Sequence, residues 1–346
     1  MLLSGAAGSG KTTELCARAR ALRRRHSDQR LLVLCFTGAL ASYLRRTLPA
    51  DPRMDVATFH DWARARLDES GLVVPKPPGR GTQWDRYWTH DMARLLLRAF
   101  REGHIPTGVY RAVLVDEGQD FVTDWYHAIA QSLDPDDGEL FVAVDPAQNI
   151  YGRAVDWQDL GLAVWETSAA PSVNHRNSPA IAAAAARLIG ASTESAGRGA
   201  VPAPDGAPMP EMRRSDSFQA SRADAFDWVR ARLGAGVPAS SLLVLGLSRL
   251  DMITVNAWLN SKGVPAWLPS EREADAGVRV STIHGAKGLE AESVLLLDAH
   301  HLQTRGPEEG RRLLYIAMTR ARRELTVSYF RDVPLMAELE RACRPG

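Results

Sequence analysis

Gly5-Ala6-Ala7-Gly8-Ser9-Gly10-Lys11-Thr12-Thr13 constrains the chain more than any other stretch, because it fits G-x-x-x-x-G-K-[ST] with Gly5, Gly10, Lys11 and Thr12 in register. The flanks agree with the motif. Met1-Leu2-Leu3 is apolar and Glu14-Leu15-Cys16-Ala17-Arg18-Ala19 favours a helix, so the segment reads as strand, loop and helix. Glycines without a Cβ let successive N–H groups curl around phosphate oxygens, and the helix N-terminus adds partial positive charge. The pattern predicts bound ATP. Gly5, Gly8, Gly10, Lys11, Thr12 and Thr13 cradle the phosphates, and the Thr12 hydroxyl ligates Mg²⁺. A phosphate loop specifies a nucleotide and leaves the reaction open, since small-molecule kinases, GTPases and motor ATPases all use it.

At 346 residues, with 45% hydrophobic and 24% charged side chains, the chain has material for about two ordinary globular cores. Its net charge of +1 announces no global field for nucleic acid, although a balanced total is compatible with a local basic groove. Lysine occurs only at 11, 76, 262 and 287, so most of the 42 basic residues are arginines and any single surface arginine is weak evidence of function. Cys16, Cys35 and Cys343 are odd in number and lack metal-ligand spacing, which points to buried thiols in a reducing compartment. No run reaches membrane-spanning length, and Met1-Leu2-Leu3 passes into glycine without the layout of a signal peptide. A cytoplasmic protein with no membrane partner is expected.

Along the chain, Thr12 to Arg25 reads as helix and Leu31 to Phe36 as a strand buried on both faces of a parallel sheet. Phe36 and Thr37 follow it, at the strand end where open α/β sheets bind ligands. Leu40 to Leu48 is a basic helix, and Val56 to His60 a second strand end. Residues 62–108 form a small helical insertion, with a Pro/Gly-rich loop at 70–82 and an amphipathic helix from Trp84 to Arg101. Its aromatics read as core. Arg111 to Val115 is a buried strand running into Asp116-Glu117-Gly118-Gln119-Asp120, where Asp116 can hold Mg²⁺ and Glu117 can polarise a water for attack on a γ-phosphate. Leu140 to Asp145 is another strand, followed by Gln148, placed to sense that phosphate. The first domain closes near residue 170. Residues 190–217 read as an irregular connection, 221–233 and 250–262 as helices, and 242–245 and 293–298 as strands, while Val278 to Glu290 couples a strand to a polar loop. A helix spans 311–322, and 324–330 is the last strand.

Taken together, eight segments in order resemble the UvrD/Rep-like branch of superfamily-one DNA helicases over nearly the whole chain. They are the phosphate loop, Cys35-Phe36-Thr37, Ala57-Thr58-Phe59-His60, Val115 to Asp120, Val144 to Tyr151, Asn174-His175-Arg176-Asn177, Ser281 to Glu290, and Leu314 to Arg322. The resemblance implies an α/β chain of two RecA-like P-loop NTPase motor domains with parallel sheets, at 1–170 and 171–346. It implies a minimal helical insertion in the first and no large insertion in the second. It further implies ATP and Mg²⁺ as cofactors, and single-stranded DNA as partner, with RNA open. Lys11, Asp116, Glu117, Gln148, Arg176 and Arg320 become the catalytic set, Thr12 and Asp116 the metal ligands, and Glu290 the ribose contact. Phe36, Thr37, Thr58, His60, Tyr151 and His284 become the DNA contacts. Asp116-Glu117-Gly118-Gln119-Asp120-Phe121, with Gly118 where the best-known helicases have alanine, looks most like the helicase part of bacterial NERD-type nuclease-helicases.

The chain departs from the family at four places. His175 stands where an adenine-stacking tyrosine is usual. Four residues precede the loop, where the family has a glutamine segment that reads adenine. Gly152-Arg153 does not reproduce a Trp-Arg pairing. About ten residues separate Ala266-Trp267-Leu268 from Val278, where larger relatives carry a duplex-engaging subdomain. A pared-down motor is expected, or the motor half of a split or truncated protein with a nuclease partner or a missing N-terminal domain. The leading function is an ATP-dependent, 3′-to-5′ single-strand translocase and helicase. The alternative is a nucleic-acid-sensing ATPase subunit that gates a partner nuclease. A small-molecule kinase ranks third, having no use for Arg320 in a second motor half.

Overall fold

Leu31, Val33 and Cys35 belong to one apolar cluster, whereas Leu32 and Leu34 belong to another. Alternate residues of a single strand thus enter cores on opposite faces of a sheet, as a continuous apolar run requires. In the computed structural model, which describes residues 1–79, 81–149, 155, 160, 174–190, 208–268 and 277–344, the chain divides into two units. One is Met1–Gly5 with Lys11–Ala170, and the other is Ala6–Gly10 with Pro171–Gly346.

The first unit carries β1 (Leu2–Ser4), α1 (Lys11–Arg25), β2 (Arg30–Cys35), α2 (Gly38–Thr47), β3 (Met54–Thr58) and α3 (Phe59–Glu69). It continues with α4 (Thr82–Arg86), a π-helical turn (Tyr87–Asp91), α5 (Met92–Arg101), β4 (Tyr110–Val115), α6 (Thr123–Ser132) and β5 (Glu139–Val144). The strands form one parallel sheet in the order β1-β5-β4-β2-β3. All strand ends therefore open on one edge, where the loops after β1, β2, β4 and β5 converge. The insertion packs its buried Met92, Ala93, Leu96 and Phe100 with Trp62, Trp125 and Ile129 in the cluster on one face.

Two local expectations are corrected here. Phe59 and His60 open α3 and are not the end of a strand, because the Thr58 hydroxyl caps the helix by accepting from Asp61 N at 3.1 Å. The aromatics of the insertion divide: Trp62 and Tyr87 are buried, but Trp84 is 41% exposed.

The second unit holds α7 (Pro179–Leu188), β6 (Glu211–Arg214), α8 (Phe218–Gly234), β7 (Leu242–Gly246), α9 (Arg249–Ser261), β8 (Ala266–Trp267) and β9 (Val278–Thr282). After these come β10 (Ala291–Leu296), a 3₁₀ segment (Ala299–Arg305), α10 (Pro307–Met318), β11 (Ala321–Tyr329) and α11 (Pro334–Cys343). Its parallel sheet runs β6-β11-β10-β7-β9-β8. Glu211–Arg214, read from sequence as irregular connection, is an edge strand paired with β11. The helix expected over 311–322 runs instead from Pro307 to Met318, so Arg322 lies in β11. Among the described residues no helix is long and apolar enough to cross a membrane.

Candidate functional site

Gly8 and Gly10 take φ values of 76° and 87°, a region that side chains with a Cβ rarely enter. That conformation turns the phosphate loop between β1 and α1. Gly5 N donates to Val144 O at 3.1 Å, which fixes the loop's start on the sheet edge. Lys11 opens α1 buried, with Nζ donating to Gly5 O at 2.8 Å. The Ser9 hydroxyl is buried without a hydrogen-bond partner, a polar atom of the kind a phosphate oxygen satisfies. Thr13 lies exposed in the first turn of the helix.

Next to Lys11, Thr12 Oγ1 donates to Asp116 Oδ2 at 2.8 Å. Asp116 is 1% exposed, and burial, followed by the charge of Glu117, pushes its carboxyl above the usual carboxylate range. A hard cation fits this hydroxyl–carboxylate pair, since it would supply the positive charge that a buried anion lacks. Thr12 and Asp116 are the residues that would hold magnesium. Glu117 follows with φ 54°, the left-handed region, a strain for a residue with a side chain. Its carboxylate accepts from Gln119 Nε2, and its N–H donates to Asp116 Oδ1 at 3.0 Å. Gly118 also has a packing reason: a Cβ there would lie 2.4 Å from Val142 Cγ1 and 2.7 Å from Tyr126 Oη. Alanine at 118 would need both neighbours to move.

Asp145 was not among the residues singled out from sequence, yet these groups meet on it. It is fully buried, its Oδ2 lies 3.7 Å from Lys11 Nζ, and the same oxygen accepts from Gln148 Nε2 at 2.7 Å. Its backbone N–H donates to Gln119 Oε1 at 2.9 Å. Asp145 thereby ties the phosphate lysine and the glutamine after β5 through its carboxylate and, through its backbone N–H and Gln119, the acid after β4. The available signal was an acid at the end of an apolar strand, hidden because Asp145-Pro146 also reads as an ordinary turn.

In the second unit, Asn174 Oδ1 accepts from Arg176 N at 2.9 Å and Asn177 N at 3.0 Å, and Asn177 Nδ2 donates to Thr319 O at 3.2 Å and Ala321 O at 2.6 Å. This staples the loop before α7 to the residues flanking Arg320. Arg320 is fully buried, donating to Ile316 O at 3.0 Å and Leu289 O at 3.4 Å. Glu290 lies 2.8 Å from Arg176 Nε and 3.1 Å from Arg322 Nη1. Arg176, Glu290 and Arg320 are thus brought together, with Glu290 engaged by two arginines.

The residues expected to touch DNA are scattered more widely. Phe36 is half-buried, its ring stacked 6.1 Å from that of Trp125. Thr37 caps α2 by accepting from Leu40 N at 3.2 Å, and the Thr58 hydroxyl donates to Asp61 Oδ2 at 2.8 Å. His60 sits edge-on to Trp88 and Trp125 at 5.1 and 4.7 Å. His284, in the loop after β9, is pushed down to about 4 by burial, then by Lys287 and Arg305, and is neutral at physiological pH. Tyr151 lies outside the described residues.

Residues 1–154 match the family model of an AAA domain, and residues 277–328 match that of a UvrD-like helicase C-terminal domain. Over that second stretch the chain is similar to UvrD-like helicases. The matched regions include the phosphate loop, the acids after β4, Gln148, Glu290 and Arg320. Among solved structures, the C-terminal domain of a possible DNA helicase from Lactobacillus plantarum WCFS1 is similar at 22% identity. The likeness covers 49% of this chain and 96% of that one, with a TM-score of 0.39. No curated protein matches the chain. Neither family match bears on the nuclease-linked subgroup.

Within this site, the position of Asp145 yields an expected result. Asp145→Asn removes the counter-charge of Lys11 and one orienting acceptor of Gln148, so ATP turnover should fall roughly 10- to 100-fold, the usual effect of losing a supporting partner. Steady-state phosphate release reads this. Unchanged turnover with only a lower melting temperature would make Asp145 a folding residue.

Proposed function

We propose that the chain is an ATP-dependent translocase and helicase that moves 3′ to 5′ along single-stranded DNA. The observation that carries the reading is the 2.8 Å contact of Thr12 with Asp116 beside Glu117, a nucleotide-hydrolysing arrangement at the strand edge of the first unit. Residues 1–170 and 171–346 act as the two motor domains. Lys11 and the loop N–H groups bind the β and γ phosphates, and Gln148 senses the γ-phosphate. Glu117 accepts a proton from the attacking water, while Arg176 and Arg320 stabilise charge that grows on the transferred phosphoryl group. Thr12 and Asp116 would hold magnesium, which would supply Lewis-acid neutralisation of phosphate charge.

Hydrolysis is then linked to motion, because Arg176 and Arg320 belong to residues 171–346 while Lys11, Thr12, Asp116 and Glu117 belong to residues 1–170. Phe36, Thr37, Thr58, His60, Tyr151 and His284 contact the strand, with aromatic stacking giving affinity without sequence preference. Streptavidin displacement from end-labelled oligonucleotides tests the direction. ATP should speed loss of streptavidin from a 5′-biotinylated strand and leave the 3′-biotinylated strand at its spontaneous rate. Equal rates at both ends would contradict translocation.

A further inference from the structure

Leu72-Val73-Val74-Pro75 alternates in exposure as an extended chain does: Leu72 and Val74 pack on the core cluster of the first unit, while Val73 and Pro75 are exposed. Tyr87 Oη donates to Pro75 O at 2.6 Å, so this segment is tied to the helical insertion beside it. Between the segment and α5 lies a cleft of about 460 Å³, the size of an ordinary ligand site, with a mainly apolar lining. Tyr87 and Met92, both buried, and the half-buried Leu95 form its inner wall. Pro75 closes one side. Neither the nucleotide site nor the strand contacts proposed above use any of these residues.

The mouth of the cleft is basic. Arg94, Arg98 and Arg101 line it from α5, recurring at i, i+4 and i+7 along one side of the helix, and all three are exposed. Stems of such residues extend an apolar wall while the guanidinium groups stay in water. Asp91, an acid of the lining, already has Arg86 at 3.5 Å. Arg94 and Arg98 pair with Asp124 at 3.5 Å and Glu102 at 2.7 Å, but their side chains are 59% and 67% exposed. Exposed pairs of this kind contribute little, so either arginine can turn to another carboxylate at small cost. Asp124 would keep His90 Nδ1, at 3.1 Å, as its partner.

We infer that this cleft docks an acidic segment of a partner protein, which inserts one large apolar side chain against Tyr87, Met92 and Leu95 and sets its carboxylates on Arg94, Arg98 and Arg101. An apolar side chain gains from the surface the cleft covers, and the rim supplies the opposite charge for acids on either side of it. From Arg94 to Arg101 is about 10 Å along the helix, the reach of about three extended residues, so a short run of acids spans the stripe. Nucleic acid fits less well. Tyr87 is buried with its hydroxyl committed to Pro75, so its ring is not open for a base to stack on. A small free anion would meet the arginines and leave the apolar wall unused.

The test uses the full chain and a fluorescein-tagged peptide, Asp-Asp-Asp-Asp-Phe amide, followed by anisotropy. The wild-type protein should bind it, and serine in place of the peptide's phenylalanine should weaken binding roughly 10- to 100-fold, the effect of one buried apolar side chain. Arg98→Glu with Arg101→Glu should weaken it by about 10-fold or more through like-charge repulsion, and Arg98→Lys with Arg101→Lys should keep most of it. ATP turnover should be unchanged in both double variants, since neither arginine belongs to the nucleotide site. A wild-type protein that does not bind the peptide, or binds the serine form equally well, overturns the docking site, and so does equal binding by the glutamate variant. Oligo(dT) that displaces the peptide and itself binds the glutamate variant more weakly would make the cleft a nucleic-acid contact. Dimers seen by sedimentation velocity and lost in that variant would make it a contact between copies of this chain. Either result overturns the acidic partner.

Discussion

Glu117→Gln is expected to bind ATP as the wild-type protein does and to hydrolyse it about 10³-fold more slowly. Glutamine keeps the shape of the side chain and can keep a hydrogen bond to Gln119, the partner of the native carboxylate. It cannot take a proton. A positioned general base contributes roughly 10²- to 10⁴-fold, and here the base sits on a backbone held at φ 54°, while the adjoining Asp116 is buried and engaged by Thr12. Binding should survive because Lys11 and the loop are untouched. Nucleotide titration and single-turnover phosphate release separate the two effects. Near-wild-type turnover would remove Glu117 from the chemistry.

Arg320→Ala is the second large effect, and it should appear in two measurements at once. An arginine that stabilises the transferring phosphoryl group contributes on the order of 10³-fold or more to turnover. Because Arg320 is fully buried and donates to Ile316 O and Leu289 O, its truncation also takes a donor from the Leu289 carbonyl and opens a cavity, while Ile316 O keeps the Thr319 hydroxyl as donor. A loss of roughly 2–4 kcal/mol of stability in the second unit is expected beside the catalytic defect. Arg320→Lys retains the charge and part of the packing, so it should fold better than alanine yet still turn over slowly, since one ammonium does not reproduce the planar fork. Full DNA-stimulated turnover by a folded Arg320→Ala protein would mean that the second unit does not serve the ATP site.

The strands were the most legible part of the chain. Leu31 to Cys35, Ala112 to Val115 and Leu242 to Leu245 are apolar without interruption, and only a strand covered on both faces needs that. Glu211–Arg214 was not legible, because an edge strand of Glu-Met-Arg-Arg buries little and its pairing depends on β11, more than a hundred residues away. The start of α10 carried its signals in Pro307 and the acids Glu308 and Glu309, yet the apolar run beginning later at Leu313 drew the boundary inward. Phe59 and His60 were misplaced for a local reason. Thr58 and Asp61 make a helix cap, which outweighs the β preference of Val56 and Thr58.

Motif spacing located the loop, the acids after β4 and the arginines. It could not reveal Asp145, whose importance lies in three partners that meet it only in the fold. Nor could it foresee that Trp84 faces outward while Tyr87 faces in, since a helix with aromatics on several sides does not declare which one the core will cover.

The central claim is that ATP turnover by this chain answers to single-stranded nucleic acid, and steady-state hydrolysis measured against oligo(dT) concentration tests it most directly. Turnover should rise from a low basal rate to a plateau as the strand saturates, with half-saturation at the concentration where anisotropy reports binding. A rate that stays flat across that range, with binding confirmed in the same samples, would contradict the claim.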